Sequence, residues 1–157
     1  MEDLTPDLFQ SDVVRSRAMR RRLERNEREV LLKMLSEPFL GAPELRAQVE
    51  HVFVVGGTSP TWLGFEVDPV VERSPCTQSR VPGNAWVFDD KGETIGMVLV
   101  WVDDGWLSAL EYGWVTDEAP TTFPAAHAVR FLEPTRVVQD ARPNSTWLDR
   151  LFSPRNR

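Results

Sequence analysis

The chain has 157 residues, of which 41% are hydrophobic and 27% are charged, and its formal net charge is −6 at pH 7. These values are ordinary for a single globular domain with a buried core, and they exclude a chain that is disordered throughout. No apolar run reaches the roughly 18 to 20 residues needed to cross a bilayer, so we expect no membrane association. The acidic N-terminus and the single cysteine predict a cytoplasmic protein without a signal peptide or an internal disulfide.

The N-terminal third has the pattern of helices. Between residues 12 and 35, apolar side chains recur at spacings that predict either two helices that meet near Arg25 or one continuous helix, and we favour a break or weak joint at that point. Asn26, followed three residues later by Glu29, resembles a capping box at that joint. A second helix is predicted over residues 43–50, because proline suits the first turn of a helix.

The pattern then changes to that of β-strands. Strands are predicted at 51–55, 62–67, 85–88, 94–102 and 106–115, with an edge strand at 128–132. Aspartate-rich turns that end in glycine separate the third, fourth and fifth of these strands, which predicts two tight hairpins and therefore an antiparallel β-meander. The strand at 94–102 is apolar at nearly every position, so we expect both of its faces to be covered.

Together these elements predict an α+β fold in which N-terminal helices pack on an antiparallel β-meander sheet. We expect a single domain over residues 1–132, with residues 1–11 loosely structured. A C-terminal tail at residues 133–157 follows, and Ser145 suits the N-cap of a short amphipathic helix at 146–152.

Three segments of the chain, residues 23–32, 38–49 and 104–111, resemble a family of small actinobacterial proteins with no established activity. The resemblance covers residues 23–132, and the ratio of 16 arginines to 2 lysines agrees with a GC-rich actinobacterial genome. The family's Cys-Gly-rich turn corresponds here to residues 56–60, which contain no cysteine, so the resemblance implies no metal role for this turn.

Residues that commonly carry catalysis are few and scattered. His51, His127 and Cys76 do not have the spacing of a zinc site or of a nucleophile–base pair. The aspartate pairs at 89–90 and 103–104 are typical of tight turns, in which aspartate accepts local backbone hydrogen bonds. We therefore expect no catalytic, cofactor or metal site, and we favour a protein that is not an enzyme.

Aromatic residues cluster in the predicted meander. Trp106, Tyr112 and Trp114 share one parity in the last long strand, and an exposed aromatic patch there would suit a protein interface. Asp103 and Asp104 would place negative charge beside it. These five residues are candidates for binding a partner, and the alternative is that some of the aromatic residues belong to the core.

The tail contains a second candidate. Trp147, Leu151 and Phe152 would lie on one side of the short helix predicted at 146–152, as in a helix that docks into a partner's groove. The alternative is that this helix folds back over the exposed face of its own sheet.

The function that we expect is non-catalytic protein binding. Residues 41–132 carry five basic and thirteen acidic groups, a balance that favours a basic protein partner, as for an immunity-type inhibitor or a small chaperone. An alternative is a small-ligand-binding protein or an enzyme with a pocket between helices and sheet, next to the loop at 68–83. A weaker alternative is nucleic-acid association through the seven arginines between Arg15 and Arg28. Glutamates interrupt that run, so nucleic acid is an unfavoured partner.

Overall fold

The computed structural model describes residues 20–56 and 59–132. This part of the chain has the predicted α+β fold, with two short α-helices ahead of most of a six-stranded antiparallel sheet. The helices are α1 (Arg25–Met34) and α2 (Ala42–Gln48). The strands are β1 (Val52–Val54), β2 (Trp62–Val67), β3 (Ala85–Phe88), β4 (Thr94–Asp103), β5 (Trp106–Trp114) and β6 (Val129–Phe131). Two 3-10 helices, Val49–His51 and Ala126–Ala128, precede β1 and β6.

The strand order across the sheet is β1-β2-β5-β4-β3-β6. Strands β3, β4 and β5 form the predicted meander, and the predicted strand at 128–132 is the edge strand β6, which pairs with β3. At the other edge, β2 pairs with β5 and β1 pairs with β2. The meander therefore forms the centre of the sheet, and strands that are distant in sequence extend it on both sides.

The prediction of a helix over 12–35 is wrong at residues 20–24. Arg21 instead forms an antiparallel bridge with Val54, in which the Arg21 backbone N–H donates to the Val54 oxygen at 3.2 Å and the Val54 N–H donates to the Arg21 oxygen at 2.8 Å. The chain thus runs along the outer edge of β1 before α1 begins. A partner that lies more than 30 residues away decides this conformation, so local periodicity could not reveal it.

The predicted capping box at Asn26 is also wrong. The N-cap of α1 is Glu24, whose backbone N–H donates to the Glu27 carboxylate at 2.8 Å. The Asn26 amide donates to the backbone oxygens of Phe123 and Pro124, both at 3.1 Å, and so ties α1 to the segment before β6.

Both helices pack on one face of the sheet, called here the helix face. Buried residues of the helices, such as Leu31 and Leu45, form one core cluster with Val87, Val98 and Leu110 of the central strands. Burial of about 20 such residues supplies the main free energy that stabilises the fold, at roughly 1.5 to 3 kcal/mol for a fully buried large aliphatic side chain. The opposite face of the sheet is called here the open face, because no buried residue of either helix packs against it in the described part of the chain.

The turn between β4 and β5 is a two-residue turn at Asp104 and Gly105. Both residues have positive φ, 49° and 80°, as the tight hairpin turns that match the twist of a sheet require. A Cβ on Gly105 would also lie 2.2 Å from the backbone oxygen of Ser74, so the loop before β3 packs directly against this turn. None of the helices in residues 20–56 and 59–132 is long and apolar enough to cross a membrane.

Candidate functional surface

The open face carries most of the tryptophans of the chain. Strand pairing sets which residues share a face, because directly paired residues of antiparallel strands point to the same side. By this rule, four of the six tryptophans lie on the open face: Trp62, Trp86, Trp101 and Trp106. This face is therefore strongly aromatic, but of its four tryptophans only Trp106 is among the binding residues predicted from the sequence.

The centre of the open face is a row across three strands. Trp62 of β2 pairs with Glu111 of β5, which pairs with Leu99 of β4. The Trp101 indole N–H donates to the Glu111 carboxylate at 2.9 Å. Leu99 is almost fully buried, and Trp62 is 40% exposed. Solvent exposure therefore falls along the row, from the accessible Trp62 ring to the inaccessible Leu99 side chain.

Arginines stack on the aromatic rings at both edges of the open face. The guanidinium carbons of Arg20 and Arg22 each lie 4.1 Å from the centre of the Phe53 ring in β1. At the other edge, the guanidinium carbon of Arg130 lies 5.1 Å from the centre of the Phe88 ring. These distances are those of cation–π interactions, so the edge arginines are engaged within the chain.

The three arginines at 20–22 all have intramolecular partners. Besides stacking on Phe53, Arg20 forms a salt bridge of 3.3 Å with Glu66, and Arg22 donates to the Glu50 backbone oxygen at 3.0 Å. The Arg21 guanidinium donates two hydrogen bonds of 2.8 Å to the Glu27 carboxylate. These three side chains are therefore engaged within the chain.

The prediction that Trp106, Tyr112 and Trp114 share one face is wrong. Trp101 pairs with Ala109, whereas Val102 pairs with Leu107, so Ser108 has no partner and forms a β-bulge. One extra residue reverses the alternation of side chains along a strand. Trp106 therefore lies on the open face, whereas Tyr112 and Trp114 lie on the helix face.

Tyr112 belongs to the core, where it is 4% exposed and contacts the Phe123 ring. Burial raises the pKa of its hydroxyl above the ordinary value. Trp114 is 40% exposed at the far end of β5, eight residues from Trp106, which corresponds to roughly 25 Å along a strand. Trp106 and Trp114 therefore cannot contribute to one compact contact.

Asp103 and Asp104 lie beside Trp106, as expected from the sequence. Asp103 pairs with Trp106 across the β4–β5 hairpin, and both aspartates are exposed. Asp104 forms a salt bridge with Arg73 of the loop before β3. Trp147, Leu151 and Phe152, the other predicted binding residues, lie outside the described residues.

A cleft of about 720 Å³ opens next to this hairpin. Its walls are the start of α2, the loop at 72–79 and the end of β4, and its lining includes four carboxylates and one guanidinium, that of Arg73. The carboxylates belong to Glu44, Glu72, Asp103 and Asp104. We call these four residues, together with Trp106, the acidic end of the sheet. Glu44 and Glu72 were missed in the sequence because they lie on separate elements, and only the length of the loop at 68–83 indicated a site there.

Gln48 holds the walls of the cleft together. It is fully buried, and its amide donates to the Gly105 oxygen at 2.9 Å and to the Glu72 oxygen at 3.1 Å. Its carbonyl oxygen accepts a hydrogen bond of 3.0 Å from the Leu107 N–H. The side chain thus joins α2, the loop before β3 and the β4–β5 hairpin, so the acidic end is built on a fixed frame.

The two histidines lie far apart in the sheet. His51 precedes β1 and His127 precedes β6, which are the two edge strands. Within residues 20–56 and 59–132, no group of three or more histidine, cysteine, aspartate or glutamate side chains could hold a metal ion.

A scan against protein-family models found no match, and searches of curated proteins and of solved structures found no similar protein. The resemblance to small actinobacterial proteins therefore remains an expectation from the sequence.

Proposed function

We propose that this protein is a non-catalytic protein-binding domain that recognises a basic protein partner through its acidic end. The observation that carries the proposal is the set of four carboxylates around the cleft at the β4–β5 hairpin, one of which, Asp103, pairs directly with Trp106. Tryptophan is the side chain most enriched among residues that dominate binding energy at interfaces. A surrounding negative field accelerates the encounter with a basic protein and disfavours nucleic acid.

The class of protein that best fits this chemistry is an immunity-type inhibitor of a basic toxin, or a small chaperone. Both act by binding a protein and need no catalytic group. Residues 41–132 carry thirteen acidic and five basic side chains, and the two hairpin turns of the meander each contain an aspartate pair. We place the protein in the cytoplasm, because its single cysteine, Cys76, is buried and unpaired in a chain without disulfides.

An experiment that tests this proposal is affinity capture from a lysate of the source organism, with the full chain as bait at about 0.1 M and about 1 M salt. Raising the salt over this range shortens the screening length from about 10 Å to about 3 Å, so a partner held by charge should be released. The substitution Asp103→Asn should weaken retention at low salt. Asp90→Asn removes the same charge from the other hairpin turn, is also exposed, and should leave retention unchanged.

A partner retained equally at both salt concentrations, or equally by both variants, would contradict recognition by the acidic end. An empty capture at both concentrations would favour the second candidate function, small-ligand binding in the cleft. The observation behind that candidate is the cleft volume of about 720 Å³ between α2 and the hairpin, which is large enough for a small metabolite.

A further inference from the structure

We propose that the C-terminal segment at residues 147–152 docks on the centre of the open face of its own chain. Three apolar side chains at this centre are almost inaccessible: Met97 is 5% exposed, Leu99 is 2% exposed and Ala109 is 3% exposed. None of the three belongs to the core cluster on the helix face. In an antiparallel sheet, a face left to water carries polar side chains instead. The centre of the open face therefore has the composition and burial of a covered surface.

The residues around this centre are also engaged. Arg80, Trp86 and Glu111 all lie on the open face, and each has an interaction partner. Apolar side chains as inaccessible as these need other atoms packed over them, and an apolar face left to water would promote association. Stability and solubility both favour an occupant, and the remaining question is which segment reaches the centre.

The end of the described chain points to the C-terminal tail. The Leu132 backbone N–H donates to the Asn84 oxygen at 3.4 Å, next to Ala85, which pairs with Val98. The chain therefore leaves the sheet level with Leu99 and only two strands away from it, a distance of roughly 10 Å at the usual strand spacing. The fourteen residues at 133–146 can span roughly 20 Å as a flexible linker, so residues 147–152 reach the centre without strain.

The segment has the chemistry that this surface requires. Trp147, Leu148, Leu151 and Phe152 fall at spacings that place them on one side of a helix. A helix over residues 146–152 would be roughly 10 Å long, which matches the width of two strand spacings across β4 and β5. Methionine packs favourably against aromatic rings, so Met97 is a suitable contact for Trp147.

Other occupants fit less well. The N-terminal segment joins the sheet at the opposite edge, where Arg20 and Arg22 already cover Phe53 of β1. Strand β1 is three strands from β4, whereas β6 is two strands from it. A second copy of the chain could bury the face by association, and concentration dependence would reveal it.

The test uses the full chain labelled with ¹³C at the methionine methyl groups. Four signals are expected, and Met97 on the open face and Met34 in the helix-face core are both buried. We expect nuclear Overhauser contacts between the Met97 methyl and the Trp147 indole. The triple substitution Trp147→Ser, Leu151→Ser and Phe152→Ser should abolish these contacts and move the Met97 signal, while the Met34 signal stays in place.

A matched control changes three polar tail residues, Asn144→Ser, Arg155→Ser and Asn156→Ser, and should leave the Met97 signal unchanged. A Met97 signal that does not move in the apolar triple variant would overturn the proposal. Overhauser contacts between the Met97 methyl and Met19 would overturn it in favour of the N-terminal segment. A Met97 signal that shifts with protein concentration would overturn it in favour of a second copy. The docking does not rest on the proposed function, because the acidic end lies elsewhere on the sheet. The apolar triple variant should therefore still capture the partner.

Discussion

Arg21 and Glu27 fix the point at which the chain joins the sheet. The Glu27 carboxylate accepts two hydrogen bonds from the Arg21 guanidinium and one from the Glu24 backbone N–H, each 2.8 Å long. Burial by itself raises the pKa of Glu27, but these hydrogen bonds outweigh it and hold the pKa below its ordinary value. The hydrogen bonds that Arg21 donates to Glu27 correspondingly raise the pKa of Arg21. One carboxylate therefore both begins α1 and anchors the strand-like segment before it.

Replacing Glu27 with glutamine should lower the free energy of unfolding at pH 7 by about 1–2 kcal/mol, because the charge-assisted hydrogen bonds of the buried Glu27 carboxylate with Arg21 are lost. A lowered pKa means that the carboxylate stabilises the fold above the unfolded-state value of about 4.3, and that this contribution disappears as the pH falls through the folded-state pKa. The difference between the wild type and Glu27→Gln should therefore shrink at pH 3.

Urea denaturation at both pH values measures this difference. Glu29→Gln is the control, because Glu29 pairs only with Arg25 on the surface of α1, and that pair contributes about 0.5 kcal/mol or less. An equal loss of stability by Glu27→Gln at pH 7 and pH 3 would show that charge is not the cause.

At the scale of elements, the bulge at Ser108 decides which residues the surface displays. On one side of the bulge Trp106 faces the open face and Leu107 the core, and on the other side Ala109 faces the open face and Leu110 the core. A regular strand that ran through Ser108 without a bulge would reverse one of these two pairs. The faces on which the side chains of β5 lie therefore depend on the bulge at Ser108.

Deleting Ser108 should leave the other side chains of β5 on their present faces. Trp101 pairs with Ala109 and Val102 pairs with Leu107, so the deletion makes these two pairs consecutive in a regular ladder. We expect a change of about 1 kcal/mol or less in thermal or urea unfolding. Deleting Leu107 is the matched control, because it also restores regular pairing but puts Ser108 at a position that is 1% exposed, at a cost of about 1.5–3 kcal/mol. Equal losses of stability from the two deletions would mean that Ser108 is not the extra residue.

The elements that the sequence predicted well are those with local signals. The strands at 62–67 and 85–88 have the predicted bounds, and the glycine-ended turns correctly separate β3, β4 and β5. An aromatic surface on the meander was expected, but its residues in β5 could not be predicted, because alternation in β5 reverses at Ser108 and no sequence pattern marks that residue as a bulge. The pairing of β2 with β5 and the bridge between Arg21 and Val54 join segments that are distant in sequence. The spacing of neighbouring apolar residues could not predict either pairing.

At the scale of the whole molecule, the sheet separates two surfaces with different chemistry. The centre of the open face is apolar and buried at Met97 and Leu99, whereas the acidic end is polar and exposed at Asp103 and Asp104. We interpret the first as a surface for the chain's own tail and the second as a surface for a partner. This division explains how a strongly aromatic sheet is compatible with an acidic chain.

The most direct test of partner recognition at the acidic end compares two tryptophans of the same strand. Trp106→Ala removes the aromatic side chain of the acidic end, and Trp114→Ala removes an exposed tryptophan from the other face and the other end of β5. In a measurement of affinity for the captured partner, Trp106→Ala should weaken binding by roughly 30-fold or more, as for a residue worth about 2 kcal/mol, and Trp114→Ala should have little effect. Equal effects of the two substitutions, or a loss of binding with Trp114→Ala alone, would contradict the account.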